Sequence, residues 1–222
     1  MAGKALVWDQ VGEKLFETGV KKGVLYKRDA SGAYPKGVAW NGLTAVNENP
    51  SGAEPTALYA DDTKYVTIMS TEDYSLDIEA YMYPDEFAEC DGSAELTEGV
   101  TIGQQTRKPF GFSWVTTIGN DVDGTDYGYK IHLVYGCLAS PTEKNHSSIN
   151  DSPDAINPSW SVSTTPVEVA GHKPTATLEI DSTKVGEKAL AAIEKVLYGS
   201  AEAEARLPLP DEVLSIIKAA AV

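Results

Sequence analysis

Residues 76–82 alternate without a break: Leu76, Ile78, Ala80 and Met82 fall on one side of an extended chain, and Asp77, Glu79 and Tyr81 on the other. A period of two is the signature of a strand with one face in a core and one in water, and it excludes a helix here. The pattern recurs more weakly elsewhere. Short β-branched or aromatic runs appear at Val24–Tyr26, Tyr65–Met69, Phe112–Ile118, Tyr129–Tyr135, Ser159–Ser163 and Ala176–Ile180, separated by turn-forming residues. With 19 glycines and 12 prolines to punctuate 222 residues, the expected fold is mainly β, an antiparallel sandwich forming one domain over residues 1–222.

The strands come with expected connections. Residues 1–25 read as an extended N-terminal arm with a turn at Thr18-Gly19. Residues 37–46 read as strand broken by Asn41-Gly42, a turn signal. Residues 47–62, carrying Pro50, Gly52, Glu54 and Pro55, have little periodicity and read as one long loop. Such loops are generally functional, so these four residues are candidates for contact with another subunit. Residues 65–69 and 76–82 read as a hairpin across Thr71-Glu72-Asp73, and 112–118 and 129–135 as a second hairpin across a loop at 119–128. Pro84–Cys90 reads as a single helical turn ending at Asp91-Gly92.

The last forty residues change period. Leu190, Ile193 and Leu197 recur at helical spacing over 187–198, with Gly199 placed as a C-terminal cap. Beyond Pro208 and Pro210, Val213, Ile216, Ile217 and Ala220 share one face of a second helix. Asp211 and Glu212 in its first turn and Lys218 in its last suit the helix dipole. Residues 200–222 are therefore expected to form a helical tail beside one packed, flanking helix.

Chemistry is hard to find. Thirty-three acidic against 18 basic residues leave a formal charge of -15, which disfavours nucleic-acid binding by counterion release. Cys90 and Cys137 are too few for a disulfide scaffold and read as free thiols of a reducing compartment. The N-terminus has no apolar signal region, and no run approaches the length of a membrane span, so a soluble protein made in a cytoplasm is expected. His132, His146 and His172 are isolated, and no metal, phosphate-loop, dinucleotide or nucleophile-elbow motif occurs. Neither an enzyme nor a cofactor is expected. Asn120–Asp126 groups carboxylates around Gly124 but lacks the order of a calcium loop. Asn145-His146-Ser147 and Asn150-Asp151-Ser152 match the glycosylation pattern, without a secretory context. Trp40, Trp114 and Trp160 offer an alternative function, a sugar-stacking platform on a virion-associated carbohydrate-binding module, though alternation suits them better to a core.

Several runs in order along the chain resemble one family. Trp8-Asp9-Gln10-Val11-Gly12, Tyr34–Leu43 (YPKGVAWNGL) and Ser51-Gly52-Ala53-Glu54-Pro55-Thr56 begin the series. Glu79–Phe87 (EAYMYPDEF), Gly103-Gln104-Gln105, Lys108-Pro109-Phe110-Gly111, Asp126–Lys130 (DYGYK) and Ser163–Val167 (STTPV) complete it. Together they are similar to the major tail, or tail tube, proteins of long, non-contractile-tailed bacteriophages and prophages. That resemblance implies two packed sheets with a flanking helix, assembled as hexameric rings that stack into a tube for DNA delivery. It implies a virion location after assembly in the host cytoplasm. The partners it implies are further copies of the chain, a tape measure protein and tail-end or terminator proteins, with DNA passing through unbound and no membrane contact. With the chain ending at Val222 after a helix, no appended immunoglobulin-like domain is expected. Asp77 and Glu79 are then expected to face the lumen, and the 47–62 loop, the N-terminal arm and the C-terminal helix to make inter-ring contacts.

Overall fold

A computed structural model of the chain describes residues 5–146, 148 and 155–220. Fourteen strands and two helices succeed one another among these residues. The first eight strands are β1 (Phe16–Lys27), β2 (Lys36–Trp40), β3 (Leu43–Glu48), β4 (Ser51–Gly52), β5 (Pro55–Ala60), β6 (Thr63–Met69), β7 (Glu72–Asp73) and β8 (Ser75–Ala80). After a 3-10 turn at Asp85–Phe87 come β9 (Ala94–Thr97), β10 (Val100–Ile102), β11 (Phe110–Asn120), β12 (Gly124–Ala139), β13 (Ser159–Ser163) and β14 (Thr177–Asp181). Helices α1 (Glu187–Tyr198) and α2 (Pro210–Ala220) close the chain.

The fold is mainly β, as expected. Its strands run β2-β1-β11-β12-β13-β8-β3, with β14 also on β12, and every pairing is antiparallel. The long strand β12 divides this path into two layers. Its residues 130–134 pair with β14 in the first sheet, and Leu138 and Ala139 pair with β13 in the second. Gly136 stands at the changeover with φ +60, and a Cβ there would collide with the carbonyl oxygen of Thr165. Only glycine tolerates both conditions.

Two cores result. Between the sheets lie Leu25, Trp40, Leu76, Ile78, Phe87, Phe110, Phe112, Trp114, Val134, Trp160 and Val162. On the other side of the first sheet, Val24, Tyr26, Val115, Ile131, Leu133, Tyr135 and Ile180 pack under Leu190, Ile193, Leu197 and Val213 of the helices. Strand β11 is thus buried on both faces, which is why Phe110–Val115 reads as continuous rather than alternating. The Tyr26 hydroxyl donates to Leu197 O at 2.9 Å and that of Tyr135 to Pro208 O at 3.0 Å, tying sheet to helices.

Six expectations need correction. Residues 47–62 are not a loop: they contain the end of β3, then β4 and β5. Strand β6 pairs with β5, not with β8; the partners of β8 are β3 and β13. Of the expected arm, residues 16–25 belong to β1, whose bulges absorb Gly19 and Lys22 at positive φ. The second hairpin closes over residues 121–123 alone, because Asn120 Oδ1 accepts from the amides of Val122 and Asp123 at 3.0 and 2.6 Å. Met82, expected in the core, lies beyond the end of β8 and is exposed. Helix α2 packs on α1 through the buried Val213, with Ile216 and Ile217 partly buried, and Arg206 forks onto Glu212. It is part of the second core rather than a free tail.

Candidate assembly surface

Between β3 and β8 the chain leaves the sandwich as a two-stranded arm, residues 49–74. Its root is fastened twice: the amide of Asn49 donates to Ser75 O at 2.8 Å, and the Ser75 hydroxyl donates to Asn49 O at 2.7 Å. Strand β4 then pairs with β7, and β5 with β6. The tip is the two-residue turn Asp61-Asp62, with φ of 51° and 57°. Two successive positive φ values make the primed turn that matches strand twist.

The arm has almost nothing to pack on. Thr56 opposes Ile68 and Leu58 opposes Val66, so these four side chains share one face. Leu58, Val66 and Ile68 remain 44%, 42% and 54% exposed. Tyr59, Tyr65 and Met69 are exposed as well. A lone two-stranded hairpin is marginal in water, and contiguous exposed apolar side chains mark an interface. Pro50, Gly52, Glu54 and Pro55 all lie on this arm and are exposed, Gly52 opposite Glu72 and Pro55 opposite Met69. The sequence showed the returning strand at 65–69 but hid the outgoing one, because Pro50, Gly52 and Pro55 interrupt the run. The Asp61-Asp62 pair between Leu58-Tyr59 and Tyr65-Val66 was the signal.

The outer face of β3, β8 and β13 is a second exposed surface. In β8, Leu76, Ile78 and Ala80 are buried while Asp77 and Glu79 are half-buried on the opposite side. Asp77 accepts from Asn49 Nδ2 at 2.7 Å and Ser161 Oγ at 2.5 Å. Glu79 accepts from Asn157 Nδ2 at 3.0 Å and Asn47 Nδ2 at 3.3 Å. These donors are neutral, and β3, β8 and β13 contain no Lys, Arg or His. The face is therefore polar and carries uncompensated negative charge. Asp77 and Glu79 share it with the root of the arm, through Asn47 and Asn49.

No described group of His, Cys, Asp or Glu could hold a metal ion, and residues 120–126 serve as turn chemistry. Burial pushes the Cys90 thiol up to about 12 and that of Cys137 higher still, so neither is a nucleophile near neutral pH. His146 and His172 are exposed and His132 is buried. Trp40, Trp114 and Trp160 are all in the inter-sheet core, at most 3% exposed, and present no ring face to a sugar. No described helix is long and apolar enough to cross a membrane. Ser147 and the Asn150–Ser152 pattern lie outside the described residues. No protein-family model matches the chain, and no curated protein does.

Proposed function

We propose that the chain is a self-assembling structural protein and, following its resemblance, a subunit of a phage tail tube. The observation that carries this reading is the arm, residues 49–74, whose apolar face has no counterpart among the described residues. The natural occupant of such a face is the surface of another copy, since one chain repeated around a ring supplies arm and acceptor in equal number. The polar face bearing Asp77 and Glu79 suits the bore. In water a carboxylate and a phosphate 10 Å apart repel by about 0.4 kcal/mol before screening, enough over many subunits to prevent adhesion without blocking passage. Tape measure and tail-end proteins are the further partners this reading requires.

Electron microscopy of the purified protein tests it. Wild type should form rings or tubes, and Leu58→Glu with Ile68→Lys should leave a folded subunit that does neither. A wild-type protein that stays monomeric under all assembly conditions, or unchanged tubes from the double variant, would refute self-assembly through the arm.

A further inference from the structure

The imidazole of His132 sits where β12 passes the root of the arm. It stacks on the Trp114 indole, with centroids 4.8 Å apart and planes 4° from parallel. Its hydrogen bonds determine its tautomer. The Thr116 hydroxyl has one proton, which it donates to Glu17 Oε1 at 2.6 Å. Toward His132 Nε2, 2.8 Å away, Thr116 Oγ1 acts only as acceptor, so Nε2 carries the proton of the neutral ring. Nδ1 is then bare, and it faces Glu48 Oε1 at 3.8 Å. A lone pair and a carboxylate oppose each other with no proton between them.

Of the other charged neighbours, Lys130 bridges Glu17 and Glu179 at 2.8 and 3.3 Å, and Glu17 Oε1 also faces the protonated Nε2 at 3.5 Å, whereas Glu48, on the Nδ1 side, pairs with no lysine or arginine among the described residues. On the returning side of the root, the buried Tyr74 hydroxyl has no hydrogen-bond partner, and burial followed by the Glu48 charge keeps its proton on. Glu48 ends β3, and Asn49 begins the arm.

We propose that His132 and Glu48 form a proton-operated latch on the root of the arm. Proton uptake at Nδ1 turns an acceptor–acceptor contact into an ion pair, drawing the end of β3 onto β12. The arm is thereby held at a set angle in mild acid and released at neutral pH. Burial lowers the affinity of His132 for this proton, and Glu179, Glu48 and Glu17 restore part of it, so closure falls below the ordinary histidine midpoint of about 6.5. That latching regulates assembly rests on the function proposed above. A preset arm costs less order on docking, so tubes should elongate several-fold faster below the His132 midpoint than above it.

A nuclear magnetic resonance titration of the unassembled subunit from pH 8 to pH 5 decides the latch. At pH 8 the ring nitrogens should report the Nε2–H tautomer. On acidification, the backbone amides of residues 48–51 and 72–75 should shift with the same midpoint as the ring. In Glu48→Gln, a part-exposed site where folding should survive, the midpoint should drop by about one unit and the root amides should stop following it. An Nδ1–H tautomer at pH 8, or root amides indifferent to the ring, would overturn the latch whether or not the subunit polymerises. Conversely, a normal titration in a subunit that never polymerises would uphold the latch and remove self-assembly.

Discussion

Phe87 is fully buried, and its ring meets those of Trp40, Tyr83, Phe110 and Trp160 with centroids 4.6 to 5.9 Å apart. It comes from the short 3-10 turn, not from a strand, so one turn of chain seals the inter-sheet core. Truncation would empty a site whose neighbours are held by two sheets and cannot collapse into it. Phe87→Ala should cost about 3–5 kcal/mol and Phe87→Leu distinctly less, measured by urea unfolding of the monomer. Equal losses for the two would mean that the rings pack more loosely than their geometry indicates. At this scale the sequence was readable in part. Alternation along β8 placed Leu76, Ile78 and Ala80 correctly, and the tryptophans on strands were assigned to a core, where all three lie, ahead of a surface. The role of Phe87 was hidden, since a three-residue turn has no period to read.

Among the elements, the arm draws little of its order from the described residues outside it. Its stability depends on the Asp61-Asp62 turn, where both residues hold positive φ. Proline locks φ near -65° and cannot occupy that position. Asp61→Pro should therefore disorder residues 55–69, seen as lost strand signals, while the sandwich unfolds at an unchanged denaturant midpoint because its cores contain no residue from β5 or β6. A lowered midpoint would place the arm inside the cooperative unit. Helices α1 and α2 behave in the opposite way. Their apolar stripes were evident from spacing alone: that of α1 is buried on the first sheet, and α2 packs on α1 through the buried Val213.

For the whole molecule, the distribution of surfaces matters most. One face of the first sheet is covered by helices, both sheets enclose the inter-sheet core, and the outer face of β3, β8 and β13 has no described element packed on it. Neutral amides and hydroxyls surround its carboxylates. Asp77→Lys with Glu79→Lys would replace repulsion by attraction for a passing polyanion. The proposed function predicts tubes of normal appearance from this variant, with DNA delivery reduced on complementation of a tail-defective phage. Undiminished delivery would remove these two residues from the bore.

Periodicity by itself determined the strands that build the two cores, which side of β8 is wet, the span of α1 and the apolar face of α2, because these depend on neighbours within a few residues. It did not settle pairing. Residues 65–69 lie near both β5 and β8 in sequence, and hydrogen bonding to either satisfies the same backbone groups. The choice went to β5 because Leu76, Ile78 and Ala80 are already held between β3 and β13, under Trp160. Burial in the assembled sandwich thus left β5 and β6 to each other, with an apolar face that no described residue covers.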